Sequence, residues 1–488
     1  MRKTRYINAK IFTAANGFIN EFYCNDGIFT FDSTRAAETV DLGGKTVVPG
    51  FIDSHTHILP AGLNSLGLDL RQCRSLNDLF ETVADHCSAH AHRQVLFAFG
   101  FDESKIKEQR FPTQDELRNV TGNKPFFIKR VDMHSMMVNQ AFERDYNVTS
   151  DNGIIRGQDY DAAIVMTQKR FNDQERAEAL DVMERKAFNA GITSLHTMEG
   201  YLDDYSAIDF HLKNKNKFSI DYIVYPQVMN VPGMKERGFD RIGGCILLDG
   251  SIGSRTAAVT LPYADDADNA GKLYLDNDKL FAFCEEAHCA GMQLSFHAIG
   301  DRAVAQITEI YEHILTKHPK TDHRHRIEHA ILVTDRDFDR LAKLGIWLDY
   351  QPIFEYLWGG HGKLYETRLG ASRIEMLHRI KKTQTLGIPF AFGSDCDVTP
   401  LDPLTGIHAA VNRDVIGQAV DVISAVQAFT IDAARIGFTE KTIGSIEEGK
   451  QADFTVLAND IFSCPPSAIK DAGIFAVYKK GDRVFSSQ

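Results

Sequence analysis

Between Val47 and Ser394 short apolar runs alternate with amphipathic ones, and this alternation constrains the fold more than any other feature. Strand-like runs are read at Val47 to His57, Gly191 to Met198, Phe218 to Tyr225, Cys245 to Leu248, Met292 to His297, Arg326 to His329, Ile346 to Tyr350 and Pro389 to Ser394. Eight strands separated by helices are the signature of an α/β fold of the (β/α)8 TIM-like barrel type. The helices carry the matching period. Val304, Ile307, Tyr311 and Ile314 fall three and four residues apart behind Asp301, which the pattern makes an N-cap. Similar helices are expected at Asp173 to Ala190, Asp278 to Ala290, Asp335 to Leu344 and Ser372 to Leu386, closed by Gly191, Gly291, Gly345 and Gly387.

Over a hundred residues separate the first strand from the second, too many for a loop, so 60–171 is expected to be an inserted subdomain. Within it His86, His90 and His92 have helical spacing, which suits a solvated helix end better than a second metal site. Both termini are β-rich and punctuated by Asn16-Gly17, Asp26-Gly27, Gly43-Gly44 and Lys480-Gly481-Asp482. Residues 1–48 and 441–488 are therefore expected to pair into one small composite β-sandwich beside a barrel of 49–440.

A net charge of −12 argues against a nucleic-acid backbone binder and favours solubility, without identifying the small-molecule substrate. No segment is long and apolar enough to cross a bilayer, and the start lacks the apolar run of a signal peptide. The eight cysteines form no Cys-x-x-Cys pair, as free thiols in a reducing cytoplasm would not.

The polar residues where strands run out carry the chemistry. His55 and His57 lie in Pro49-Gly50-Phe51-Ile52-Asp53-Ser54-His55-Thr56-His57, and His297 ends Ser295-Phe296-His297. His329 ends Arg326-Ile327-Glu328-His329, and Asp395 follows Phe392-Gly393-Ser394. Taken singly these residues are ordinary: a lone His-x-His, a core histidine, a helix cap. Taken together, at the carboxyl ends of four strands, they form one imidazole and carboxylate set suited to a divalent metal. Such an ion lowers the pKa of water and makes a nucleophile available near neutral pH.

These motifs, with Phe296-His297-Ala298-Ile299-Gly300-Asp301-Arg302-Ala303, Arg326-Ile327-Glu328-His329-Ala330, Gly393-Ser394-Asp395 and Gly444-Ser445-Ile446-Glu447-Glu448-Gly449-Lys450-Gln451-Ala452-Asp453-Phe454, resemble the amidohydrolase superfamily. Leu248-Asp249-Gly250-Ser251-Ile252-Gly253-Ser254-Arg255-Thr256-Ala257 is similar to the family 3 branch, which contains N-substituted formamide deformylase. The resemblance implies a barrel with a terminal sandwich and one or two divalent ions, commonly zinc. It implies that His55 and His57 bind the more buried ion with Asp395. His297 and His329 would bind a second ion, or divide into a ligand and a catalytic histidine.

Many relatives place a carboxylated lysine four residues before the Asp-Gly-Ser aspartate, where this chain has Cys245. Three accounts stay open: Cys245 bridges two ions, Glu199 supplies the bridge, or one ion binds. Asp395 is the expected base, and His329 the expected donor to the substrate carbonyl. Arg255 and His134 are candidates for substrate contact, and Tyr356, Trp358 and His361 for shaping the pocket. The expected activity is hydrolysis of an amide or formamide carbon–nitrogen bond. A heterocycle deaminase, or a barrel retired to a structural role, are the alternatives. A homodimer is compatible with such a barrel.

Overall fold

The computed structural model describes the 488-residue chain except Met1, Arg2, Arg35, residues 131–134, residues 202–203 and Gln488. The chain divides into two compact units, residues 1–57 with 184–488, and residues 58–183.

In the first unit eight parallel strands follow one another: β1 (Phe51–Thr56), β2 (Ile192–Glu199), β3 (Asp221–Pro226), β4 (Arg241–Ile242), β5 (Gln293–Ala298), β6 (Arg326–His329), β7 (Trp347–Tyr350) and β8 (Phe390–Phe392). β1, β2 and β3 form one ladder and β4 to β8 another. The Gly243 N–H donates to the Pro226 carbonyl at 2.9 Å at one seam. At the other, Asp395 N–H donates to His55 O and His57 N–H to Cys396 O, both at 2.8 Å. A Cβ on Gly393 would lie 2.5 Å from the His55 nitrogen, so only glycine lets β8 meet β1 that closely.

Three sequence expectations need correction: a strand, a helix and an N-cap. The fourth strand is Arg241–Ile242, not Cys245 to Leu248. Gly243, at φ 100°, bends the chain where a Cβ would sit 2.2 Å from Ser295 O. Beyond the bend, 246–248 rejoin β5 irregularly, with His297 N–H donating to Ile246 O and Leu248 N–H to His297 O, each at 3.1 Å. The expected helix at Ser372 to Leu386 is broken into Ala371–Ile374 and Ile380–Thr385. Between them His378 adopts φ 42° and its N–H leaves the helix for Ile331 O at 2.9 Å.

The helix Asp301–Lys317 buries Val304, Ile307, Tyr311 and Ile314, the stripe its period demands. Each such side chain contributes about 1.5–3 kcal/mol by leaving water. Its N-cap is Gly300 rather than Asp301, whose Oδ1 instead accepts Thr260 N–H at 2.9 Å.

The terminal strands form a single eight-stranded sheet in which Phe454–Leu457 lies between Glu38–Pro49 and Ile474–Lys479. Its core is aromatic, with Tyr6, Phe22 and Phe29 of one terminus against Phe454 and Tyr478 of the other. Asp453 and Asp221 share the buried Lys479 ammonium at 2.7 and 2.6 Å, tying this sheet to the start of β3. The unit 58–183 has a five-stranded sheet and its own core, including Leu79, Val83, Leu96, Phe126 and Ile128.

Candidate metal centre

At the carboxyl ends of the barrel strands three side-chain sets bring donor atoms within 4.8 Å of one another: His55, His57 and Cys245; Cys245, His297 and His329; and His55, His329 and Asp395. Cys245 belongs to the first two sets. Its Sγ lies 3.8 Å from His297 Nδ1 and 3.7 Å from His329 Nε2. The Asp395 Oδ1 lies 3.4 Å from His55 Nε2 and 3.3 Å from His57 Nε2. His55 is fully buried, whereas the His57 side chain is 24% exposed, so the cluster opens to solvent on the His57 side.

Local geometry delivers these groups. Asp53 and His55 alternate onto one face of β1, and Asp53 Oδ1 accepts from His55 N–H at 3.2 Å and Ser394 N–H at 2.9 Å, locking the ends of β1 and β8. Strict alternation would send His329 to the face opposite Glu328. Instead its φ is 70° and that of Ala330 43°, so the backbone turns the imidazole into the cluster. Asp395 is also left-handed, at φ 56°. Such residues cost roughly 1–3 kcal/mol each and concentrate at functional sites.

The donor set fits a cation because the outer nitrogen of three imidazoles is already engaged. His55 Nδ1–H donates to Glu328 Oε2 at 2.5 Å, His329 Nδ1–H to Gln351 Oε1 at 2.6 Å, and His297 Nε2–H to Gly250 O at 3.2 Å. Each therefore turns its other ring nitrogen inward, the arrangement that orients metal-bound histidine once that nitrogen gives up its proton. His55 Nε2 is buried with no hydrogen-bond partner, a lone pair that a metal would satisfy.

The electrostatics agree. Burial pushes the Cys245 thiol up, but the charge of His55 and hydrogen bonds from His297 and His329 hold it well below its ordinary value, as thiolate. Burial likewise opposes ionisation of Asp395, and His55 and His57 outweigh it. Burial lowers His57 and His297, yet both are raised to about 10, His57 by Asp395 and Cys245, and His297 by Asp249 and Cys245. Two anions compensated by protons on their neighbours form a site whose protons a divalent ion can replace.

Glu199 is absent from these sets among the described residues. Its Oε1 accepts from Thr197 Oγ1 at 2.6 Å and from His211 Nε2 at 3.1 Å. Arg255 stands apart too, its guanidinium forked onto Asp265 at 2.9 and 2.8 Å, where Arg368 also binds. His134 lies outside the described residues. Trp358 packs its ring edge on Phe354, which stacks on His329, while Tyr356 bonds Lys470 and the exposed His361 pairs with Glu366.

Sequence reasoning passed over the residues behind the ligands. Glu328, Asp349, Gln351 and Asp249 are all fully buried. Asp249, the acid of Asp-Gly-Ser, accepts Ile299, Gly300 and Ala258 N–H groups at 3.0, 2.8 and 2.9 Å, pinning its loop to the end of β5. The available signal was charged residues inside strands, Arg326 and Glu328 on one face of β6, which a barrel core accepts only when paired.

The family described as "Amidohydrolase family" matches residues 38–485. The Bacillus subtilis (strain 168) protein named "Putative amidohydrolase YtcJ" is 27% identical over 474 residues, 88% of this chain and 87% of its own. N-substituted formamide deformylase of Arthrobacter pascens is 23% identical over 501 residues, 91% of this chain and 89% of its own. A crystal structure titled as an uncharacterized metal-dependent hydrolase from Pyrococcus horikoshii OT3 superposes with a TM-score of 0.81 at 26% identity, covering 95% of this chain and 99% of that one. With its barrel, its convergent imidazoles and a match across nearly its whole length, this chain belongs to the amidohydrolase family.

Proposed function

We propose that the protein hydrolyses the carbon–nitrogen bond of a small amide or formamide at a divalent-metal centre that His55, His57, His297, His329, Asp395 and Cys245 would hold. The observation that carries this reading is the membership of Cys245 in both three-donor sets. His55, His57 and Asp395 would hold one ion with Cys245, and His297 and His329 the other. Imidazole and thiolate together favour zinc. A bound divalent ion supplies Lewis acidity, which lowers the pKa of water and polarises a carbonyl.

Asp395 is the base. It stays ionised at neutral pH and lies 3.3 Å from the partly exposed His57, where it would accept a proton from the attacking water. The water oxygen adds to the carbonyl carbon, the carbon–nitrogen bond breaks, and Asp395 returns the proton to the leaving nitrogen. Gln351 Oε1 fixes His329 through Nδ1 and turns its Nε2 inward; in a one-ion centre that nitrogen would be free to face the substrate carbonyl instead of a second ion. The deformylase relative supports an N-formyl or N-acyl substrate. The eight free cysteines support a reducing compartment, and among the described residues no helix is long and apolar enough to cross a membrane.

The test is elemental analysis of purified protein, with turnover of a panel of amides and formamides before chelation, after it, and after metal return. Two ions per chain and reversible loss of turnover are expected. A metal-free protein inactive throughout would overturn the proposal, and ammonia release without a carboxylate product would assign a deaminase instead. A thiolate ligand needs no carbon dioxide, so reloading should proceed equally in bicarbonate-free buffer; dependence on bicarbonate would count against Cys245 as the ligand.

A further inference from the structure

Beneath the ligand atoms the barrel interior is charged, and one side chain organises it. Arg326, on β6, is fully buried and reaches four other strands. Its Nη2 donates to Glu328 Oε2 at 2.6 Å, to Asp349 Oδ2 on β7 at 2.9 Å and to the Ser54 carbonyl on β1 at 2.8 Å. Its Nε donates to Glu328 Oε1. Nη1 lies 3.5 Å from His196 Nδ1 on β2, and the guanidinium covers the Tyr225 ring of β3 at 4.9 Å.

Both carboxylates continue toward the ligands. Glu328 Oε2 accepts from His55 Nδ1 at 2.5 Å. Asp349 Oδ1 accepts from Gln351 Nε2 at 3.0 Å, and Gln351 Oε1 accepts from His329 Nδ1 at 2.6 Å. An unbroken path thus runs from His55 through Glu328, Arg326, Asp349 and Gln351 to His329, ending on one imidazole of each Cys245-centred set. His55, Glu328 and Asp349 could themselves hold a cation, but the guanidinium already occupies that role.

We propose that Arg326 is the positioning residue for both halves of the centre, setting His55 through Glu328 and His329 through Asp349 and Gln351. This rests on the metal reading above. The guanidinium grips Glu328 bidentately through Nε and Nη2 while Nη2 also reaches Asp349 and the Ser54 carbonyl; a lysine ammonium offers a single nitrogen and cannot reproduce that planar two-point grip on Glu328. Two carboxylates against one guanidinium also leave net negative charge under the donors, which favours a cation above.

The test is a stepwise cobalt(II) titration against a competing chelator. It compares wild type, Arg326→Lys, Arg326→Met, Gln351→Leu, Glu328→Gln and the Gln351→Leu/Glu328→Gln double variant. Folding is checked by circular dichroism, and the thiolate-to-cobalt absorption is recorded. Folded Arg326 variants should lose roughly tenfold to hundredfold in affinity at both steps, the range for residues that orient metal ligands. The double variant should lose less than the product of its two single losses. An Arg326 variant with wild-type affinity at either step, or losses that simply multiply, would overturn the role. Should the Arg326 variants not fold, the Gln351/Glu328 cycle decides by itself. Wild-type protein that takes up no cobalt sinks the metal reading along with it, whereas variants matching a cobalt-binding wild type sink only the role of Arg326.

Discussion

The barrel unit contains two histidine clusters, and they differ in one respect. At the carboxyl ends of the strands His55, His297 and His329 each donate one nitrogen outward and turn the other toward a shared centre. Near the start of β6 His288, His323 and His325 are just as crowded, with rings 4.6 and 5.1 Å apart, but every nitrogen is paired. His325 Nδ1 accepts Leu294 N–H at 3.0 Å, so its Nε2–H donates to His288 Nδ1 at 2.8 Å, whose Nε2–H donates to His318 O. His323 Nδ1 accepts His325 N–H at 2.9 Å and its Nε2–H donates to Leu344 O. The number of histidines therefore does not make a metal site; the convergence of their second ring nitrogens on one space does.

The largest expected contrast is in turnover. Asp395→Asn should cut kcat by roughly 10²–10⁴, the usual worth of a positioned base, with the fold retained by circular dichroism. His288→Gln should leave kcat near wild type; an Asp395→Asn enzyme at full rate would remove that residue from the chemistry.

Metal content is the next discriminator. Cys245→Ser should lower it from two ions toward one or none, and His288→Gln should not change it. Chelation should destabilise the wild type by about 4 kcal/mol if the metal had been present at a thousand times its dissociation constant. Equal metal content in Cys245→Ser and wild type would remove Cys245 from the ligand set.

Acid should separate the clusters more gently. Burial first, then the charges of His323, His288 and Lys320, hold His325 well below 6.5, and burial lowers His288 and His323 too. The unfolded chain therefore takes up protons before the folded one. Stability is full above about pH 6.5 and falls below it, by at most about 1.4 kcal/mol per pH unit for each group. In chelated protein the raised His57 and His297 contribute with the opposite sign, alike in wild type and variant, so urea titrations at pH 7.5 and 5.5 should show His325→Gln losing less stability on acidification than wild type. An identical slope in the variant would mean that the second cluster is not the acid-sensitive element.

The smallest effect is expected at Arg255. Its exposed pair with Asp265 should make Arg255→Ala neutral for metal content and melting temperature. A large rise in KM for the best panel substrate would instead restore the substrate contact.

Much of the site was legible because its signals are local. An apolar run that stops at a histidine marks a strand end, and the order of such ends in a parallel barrel brings His55, His57, His297, His329 and Asp395 to one face. The same local pattern misplaced the fourth strand, since Cys245-Ile246-Leu247-Leu248 is apolar and strand-like. The bend is set by Gly243 pressing on the carbonyl of Ser295, a residue of a different strand. It also misread the run from Ser372 to Leu386, whose helical period is overridden where His378 bonds Ile331.

By itself the sequence determined which residue types stand at which strand ends, because strand period and chain order are properties of neighbours along the chain. Tertiary structure alone decided that Cys245 sits between two sets of donors, that His329 turns inward through a left-handed backbone, and that Arg326 carries both supporting carboxylates. Those outcomes depend on where a lone pair or N–H points, and each is set by a partner from another strand. No spacing within one strand encodes that direction.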